Sequence, residues 1–180
     1  MTHPQSSSTI PIDIGSRLEL MLDDYLIARL SGGAELRLNR PIPREVALVA
    51  DRPWEGNACG DFTIFQDGDI YRMYYRGLHV IYTQGKIKLR HRYVTSCYAE
   101  SKDGIHWTRP NLGLFEFDGS KQNNIVLASA KTGKVNADAG HIAMFKDDNP
   151  RCSADARYKA IIRSRGPRGL LAFKSPDGLR

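Results

Sequence analysis

The segment "DRPWEGNACGD", residues 51–61, combines side chains that suit the binding of a sugar. Trp54 offers an aromatic face that can cover a sugar ring, and Glu55 beside it offers a carboxylate. Asn57 is a further candidate for substrate binding in the same glycine-containing segment. A structural alternative stays open, because tryptophan is largely buried in most proteins and Trp54 could plug the centre of the fold.

Two histidines are further candidates for contact with a ligand. His79 follows the run "YYRG", and His141 begins a predicted strand, although a histidine in a structural role is commoner than a ligand-binding one. The five histidines lack HxxxH and HExxH spacing and the three cysteines lack CxxC spacing, so we predict no metal site. No P-loop or GxGxxG motif occurs, and we expect no cofactor.

The composition is that of a globular protein without a membrane span. Of 180 residues, 41% are hydrophobic and 26% are charged, and no apolar run is long enough for a transmembrane helix. The start, "MTHPQSSST", lacks a basic segment before an apolar core, so we predict no signal peptide and a cytoplasmic location. The net charge of +6 concentrates in residues 86–92 and 163–168. No nucleic-acid-binding motif accompanies these runs, which favours solvated loops and no nucleic-acid partner.

Short strands are predicted to position the candidate residues. Residues 61–66 and 70–77, "DFTIFQ" and "IYRMYYRG", flank an Asp-Gly-Asp and predict a hairpin. After a polar insertion over 78–92, the runs "YVTSCYAES" and "IHWTRP" flank "KDG" and predict a second hairpin. Residues 123–129 predict a further strand.

The first part of the chain carries weaker signals. Residues 1–17 are predicted as a flexible tail, and the folded domain is predicted to span 18–180. Residues 16–30 fit the spacing of a helix and also fit a strand with an acidic bend. Residues 34–48 alternate and then meet two prolines, which favours an extended segment along a sheet edge.

The order of elements from residue 60 onward occurs twice. Three pairs of segments correspond: 61–67 with 141–147, 70–76 with 157–164, and 95–107 with 169–180. Repeats of four short strands are typical of propeller blades, in which Ser-x-Asp-Gly forms the turn between the third and fourth strands. We therefore predict an all-β fold with about two blades, the first over about 60–129 and the second, incomplete, over about 140–180.

The turn "SKDGIHW", residues 101–107, with "FQDGDIYRMYYRG" before it, resembles the five-bladed β-propeller glycoside hydrolases. These are families 32, 43 and 68 and their bacterial relatives, to which "LMLDDYLI" and "DRPWEGNACGDFTIF" are also similar. The resemblance covers residues 18–180. It implies a partial five-bladed propeller whose chain is truncated within the second blade.

The resemblance also implies hydrolysis of an oligosaccharide or glycoside by carboxylates at one end of the central axis. One carboxylate attacks or activates water, another protonates the leaving oxygen and a third stabilises charge on the sugar. Glu55 and Asp61, near the inner strand of the first blade, are the candidates for the first of these, with "NACGD" in place of the families' Asn-Asp-Pro. Asp138, before the inner strand of the second blade, is the candidate for the stabilising group.

A carbohydrate substrate is implied as the partner, with no nucleic acid and no membrane. An alternative is a non-catalytic propeller that binds carbohydrate or protein. Carboxylates that converge on the axis favour the hydrolase, and a channel plugged by Trp54 favours the alternative. Because two blades leave strand edges open, we expect self-association through these edges and no hydrolase activity of this chain alone.

Overall fold

The computed structural model describes residues 10–20, 22–89, 94–132 and 135–180. The chain divides into two compact units, Met1–Arg44 and Glu45–Arg180. The described residues of the first unit form turns without a helix or strand, and Asp13 closes one of them by accepting the backbone N–H of Gly15 at 2.8 Å. The prediction of a helix or strand over 16–30 is therefore wrong for the described part of that segment.

The second unit is built from β-strands. In its described residues these are β1 (Ala58–Asp67), β2 (Ile70–Leu78), β3 (Val80–Thr83), β4 (Lys86–Leu89), β5 (Thr95–Ser101), β6 (Ile125–Ala128), β7 (Ala130–Thr132), β8 (Val135–Lys146), β9 (Tyr158–Gly166) and β10 (Arg168–Ser175). Sheet one has the order β1-β2-β5-β6 and sheet two the order β10-β9-β8-β7, while β3 and β4 form a separate hairpin. All pairings between these strands are antiparallel. The described part of the chain has no α-helix, and the all-β fold class is confirmed.

The predicted β1–β2 hairpin is present and contains an irregularity near its open end. Asp67 pairs with Ile70 across the turn, where Gly68 has a φ of 62°. The register shifts between Gly60 and Thr63, so β1 carries a β-bulge there. A bulge re-aims the side chains of the residues that it contains.

The fourth strand of sheet one differs from the prediction. The run "IHWTRP" forms only an isolated bridge from Thr108 to Glu100, and the fourth strand is β6, which pairs with the other end of β5. Trp107 explains the departure, because its ring packs on the core of sheet one and its Nε1–H donates to the Gly104 carbonyl at 3.1 Å. The predicted second hairpin is therefore reduced to one bridge.

The internal repeat is confirmed by the register of the two sheets. In sheet one, Tyr71 of β2 pairs with Gln66 of β1 and Ser101 of β5. In sheet two, Tyr158 of β9 pairs with Lys146 of β8 and Ser175 of β10. The three pairs of segments aligned in the sequence thus occupy equivalent positions. Sheet two begins earlier than predicted, at Ala130, because β7 pairs with the first half of β8.

The two Ser-x-Asp-Gly turns repeat in atomic detail. Ser101 Oγ accepts the N–H groups of Asp103 and Gly104 at 3.2 and 2.9 Å. Ser175 Oγ accepts those of Asp177 and Gly178 at the same two distances. In both turns the aspartate Oδ1 accepts the N–H two residues later, at 2.9 and 2.8 Å respectively. The motif therefore stabilises the turn by hydrogen bonds from nearby N–H groups, as the sequence indicated.

The two sheets stack with unlike faces in contact. We call the face that carries Tyr71 in sheet one and Tyr158 in sheet two face A, and the opposite face of each sheet face B. Face B of sheet one packs against face A of sheet two, where Met144 lies on the buried cluster of Tyr74, Tyr98 and Val126. Face A of sheet one packs instead under its own loops, in a cluster that includes Trp54 and Trp107.

Candidate functional site

Two of the predicted carboxylates lie on the first strands of the two repeats, each at a β-bulge. Asp61 is in the bulge of β1, and Asp138 borders the bulge of β8, which ends at Ile142. Arg76 of β2 contacts both bulges, because its Nη1 lies 2.9 Å from Asp61 Oδ2 and donates to the backbone carbonyl of Gly140, two residues after Asp138, at 3.3 Å. We call Asp61, Arg76, Asp138, His141 and Arg165 the bulge site.

Asp138 is the buried member of the bulge site, with 1% of its surface exposed. Arg165 places Nε and Nη2 each 3.0 Å from Asp138 Oδ2, and the Gly140 N–H donates to Oδ1 at 3.1 Å. Burial raises the pKa of Asp138, but the Gly140 N–H and the Arg165 guanidinium outweigh it and hold the pKa below its ordinary value. Asp138 is therefore a fixed negative charge at neutral pH, and it lies inside β8 rather than before it.

His141 connects this buried charge to solvent. Its Nδ1 lies 3.4 Å from Asp138 Oδ2, while 54% of its side chain is exposed. His141 is thus the predicted substrate-binding residue that the structure places beside one of the predicted carboxylates, Asp138.

Asp61 is the exposed carboxylate of the bulge site. Its backbone has a φ of 51°, which few residues other than glycine adopt, and 44% of its side chain is exposed. Aspartate tolerates this conformation better than most residues, and such backbones occur often at functional sites. The bulge therefore presents a charged oxygen to solvent beside the Arg76 guanidinium.

Gly140 lets the backbone of β8 lie close to Val94 and to the Arg76 side chain of β2. A Cβ atom at this position would lie 2.8 Å from Val94 Cγ1 and 3.3 Å from Arg76 Cδ. A larger residue would have to displace Val94, and it would crowd the Arg76 side chain that donates to the Gly140 carbonyl. The small residue in "NADAGH" is thus part of what positions the site.

Glu55, the other predicted carboxylate, has a different environment. It has no exposed surface, and both of its oxygens accept from Arg109 Nη1, at 3.1 and 2.9 Å. Oε1 also accepts from the Tyr75 hydroxyl, and Oε2 accepts the Arg52 N–H at 2.8 Å. A carboxylate with these partners and no exposed surface cannot touch a bound sugar in this arrangement. Its contacts support a structural ion pair.

The remaining predicted binding residues hold loops in place. Trp54 donates its Nε1–H to Asn124 Oδ1 at 2.6 Å and packs on the core of sheet one. Asn57 donates to the Val80 carbonyl at 2.9 Å and accepts the Val80 N–H at 2.8 Å, which fixes the base of the β3–β4 hairpin. The His79 ring stacks on Phe117, with 6.1 Å between ring centroids.

Two arginines of the bulge site were missed by sequence reasoning. Arg76 and Arg165 both lie near the end of the second strand of a repeat, and both precede a glycine, in "YYRG" and "RSRG". The repeated Arg-Gly pair was the available signal. A cation at the end of the second strand faces the carboxylate at the bulge of the first strand, because neighbouring strands are antiparallel.

Comparisons of the chain with protein-family models, with curated proteins and with solved structures found no match. Within the described residues, no group of three or more His, Cys, Asp or Glu side chains is placed to hold a metal ion. The described part of the chain also has no helix of the length and apolar character that a membrane crossing requires.

Proposed function

We propose that the two sheets are blades of a β-propeller and that the bulge site acts on an oligosaccharide or glycoside. The internal repeat supports the propeller, because two sheets with equivalent strand registers stack with face B of the first on face A of the second. Successive blades of a propeller repeat in this way around an axis. The first strand of each repeat would then line the axis.

The observation that carries the proposal is the pair of carboxylates at the two bulges, with Arg76 bound both to Asp61 and to the backbone carbonyl of Gly140 in the bulge next to Asp138. Asp61 and Asp138 lie on the first strands of consecutive repeats, both at bulges, and both are bound to an arginine. Asp61, which is exposed, attacks the sugar or activates water, and Asp138 stabilises positive charge on the sugar through the field of its fixed charge. His141 contacts the substrate. Glu55 has no part in this chemistry.

Hydrolysis also requires a group that protonates the leaving oxygen. The chain alone is therefore expected to bind a sugar without turning it over. A panel of fructan and arabinan oligosaccharides, titrated by calorimetry, tests this. We expect binding that Asp61→Asn weakens tenfold or more, a loss of about 1.4 kcal/mol. Asp155→Asn is the matched control, since its side chain is 60% exposed and is paired with Lys174 outside the bulge site.

Absence of binding to every member of the panel would contradict the proposal. The second candidate function is a propeller that binds carbohydrate without catalysis. The burial of Asp138 and its pairing with Arg165 favour it, because a carboxylate committed in this way reaches a ligand only through His141. Binding that survives Asp61→Asn but is lost on His141→Ala would support this second function.

A further inference from the structure

The segment around Trp107 covers face A of sheet one. Its indole ring packs on a buried cluster in which Met73 of β2 pairs with Ala99 of β5, and Tyr75 pairs with Cys97. Tyr75, Cys97 and Ala99 have no exposed surface, and Met73 is 5% exposed. This face of sheet one is thus kept from solvent by an aromatic side chain that follows the Ser-x-Asp-Gly turn.

The equivalent positions of sheet two border a cavity. By register, the corresponding pairs in sheet two are Ala160 with Phe173 and Ile162 with Leu171. Ala160, Ile162 and Phe173 line a cavity of about 370 Å³. Phe173 is 43% exposed, although its counterpart Ala99 has no exposed surface. Within the described residues, a cavity therefore lies on sheet two where an indole ring covers sheet one.

The cavity has the size and the apolar character that an indole ring requires. Its further walls include Leu114, Phe115, Val126 and Leu127, from β6 and the loop before it. Apolar cavities of about 150 Å³ hold a benzene molecule, and the cavity on sheet two is larger. Burial of an indole ring in such surroundings is favourable, because tryptophan carries a large apolar surface.

The N–H of an indole ring also has an acceptor on sheet two. Trp107 donates its Nε1–H to the carbonyl of Gly104, in the first Ser-x-Asp-Gly turn, at 3.1 Å. The glycine at the same position of the second turn is Gly178, and it lines the cavity. The Gly178 carbonyl oxygen accepts the Tyr74 hydroxyl at 3.0 Å, and its second lone pair can accept another donor.

The backbone after Trp107 pairs with β5, and β10 offers the equivalent pairing. Thr108 and Glu100 exchange two hydrogen bonds from N–H to carbonyl, at 2.8 and 2.9 Å. Lys174 of β10 is the register equivalent of Glu100, so its N–H and carbonyl point away from β9. In the described part of the chain sheet two ends at β10, and an edge strand can add an extended peptide.

We propose that face A of sheet two binds an extended segment of another polypeptide through a tryptophan side chain. The indole ring of the partner fills the cavity against Phe173 and donates its N–H to the Gly178 carbonyl. The residue after the tryptophan exchanges two hydrogen bonds with Lys174 and so adds to the edge of β10. The side chain gives the specificity, and the backbone pairing fixes the direction of the segment. This docking does not depend on sugar binding.

A peptide with the sequence of residues 105–117, which contains Trp107, is the probe. Labelled with fluorescein, it is titrated with the full chain and followed by fluorescence anisotropy. We expect saturable binding that Trp107→Ala in the peptide weakens roughly tenfold or more, because a tryptophan buried at the centre of an interface carries much of the affinity. Equal affinities of the two peptides, or no binding of either, would overturn the proposal.

Two variants of the full chain locate the binding. Phe173→Asp is expected to weaken it roughly tenfold or more, because the indole ring would then cover an unpaired carboxylate. Phe145→Asp is the matched control, since Phe145 is 44% exposed, as Phe173 nearly is, but lies on face B of sheet two. It is expected to bind like the wild type. A peptide that exchanges with the chain's own Trp107 segment on sheet one would bind both variants alike, and that result would overturn the proposal.

Hydrogen exchange of the wild-type chain, followed by NMR, supplies a test that does not depend on the folding of a variant. The bound peptide is expected to slow exchange of the Lys174 N–H and to leave the β3–β4 hairpin unchanged. Far-UV circular dichroism shows whether each variant folds. Unchanged exchange of Lys174 at saturating peptide, or binding of free indole without binding of the peptide, would overturn the proposal.

Discussion

Asp147 occupies in sheet two the position that Asp67 occupies in sheet one, but only Asp67 is bound by both sheets. Asp67 is paired with Arg72 of its own sheet and with Lys146 of the other, and it accepts the Tyr158 hydroxyl. Asp147 is paired with Lys159 of its own sheet and accepts the Asn149 N–H at 2.9 Å. Asp67 therefore links the two sheets, whereas Asp147 makes its contacts within sheet two and the loop that follows β8.

Asp67→Asn should destabilise the fold far more than Asp147→Asn. The first substitution leaves Arg72 and Lys146 without their anion, with 14% and 26% of their side chains exposed. Removing one partner of a buried ion pair costs about 3 kcal/mol or more, and we expect the lower end of that range here. Urea denaturation of both variants measures the difference in the free energy of unfolding. Equal losses of unfolding free energy in the two variants would contradict the role of Asp67 as a link between the sheets.

Gly77→Ala should destabilise the first sheet through a backbone collision. The added Cβ would lie 2.6 Å from Thr95 Oγ1 and 2.7 Å from the Trp54 carbonyl oxygen, and the loop that carries Glu55 cannot move without losing its contacts. Overpacking of this kind costs about 1–3 kcal/mol. Gly60→Ala is the control, since its Cβ would meet only the flexible Arg76 side chain, at 3.5 Å. Thermal unfolding that ranks the two variants equally would argue against this packing.

Glu55→Gln should reduce stability without a specific effect on sugar binding. The amide keeps the shape of the side chain but leaves Arg109 without its buried counter-charge, a loss of about 3 kcal/mol. Asp51→Asn, which removes the exposed partner of Arg109, should have a much smaller effect. Denaturation and sugar titration under conditions where both variants are folded separate the two roles. Unchanged stability with lost sugar binding would restore Glu55 as a site residue.

Stability should fall on acidification through the carboxylates that are ionised in the fold. The pKa values of Asp67 and Asp138 are both lowered, because their hydrogen bonds and cationic partners outweigh burial. A lowered folded-state pKa contributes stability above the unfolded value, near pH 4, and this contribution is lost as the pH falls through the folded pKa. Asp138→Asn should therefore flatten the fall in the free energy of unfolding below about pH 4. An unchanged slope would contradict an ionised Asp138.

Local patterns predicted the parts of the fold that depend on neighbouring residues. The β1–β2 hairpin followed from strand-forming runs around Asp67 and Gly68, and the Ser101 and Ser175 turns followed from side chains that bond to nearby N–H groups. The fourth strand was misplaced because Thr108 and β6 share the edge of β5, and that choice depends on where the Trp107 ring is buried. Tertiary packing of this kind leaves no local pattern.

The candidate site was predictable in part for the same reason. Asp61, Asp138 and His141 could be placed on first strands from the repeat. Their arginine partners could not, because Arg76 reaches the Gly140 carbonyl across 64 positions of the chain. The buried pairing of Glu55 with Arg109 could not be predicted, because an acid beside a tryptophan looks the same in sequence whether it faces solvent or a buried arginine.

The β3–β4 hairpin leaves sheet one between its second and third strands, and its own pairing does not extend the sheet. Its tip, Gln84 and Gly85, has positive φ values of 51° and 73°, as a two-residue type I′ turn requires. Asn57 fixes the base of this hairpin. A change at the tip is therefore not expected to alter the strand register that pairs Tyr71 with Ser101. A reporter peptide or fluorophore inserted between Gln84 and Gly85 would therefore leave the repeat intact, which makes this tip the place to label the protein for imaging or capture.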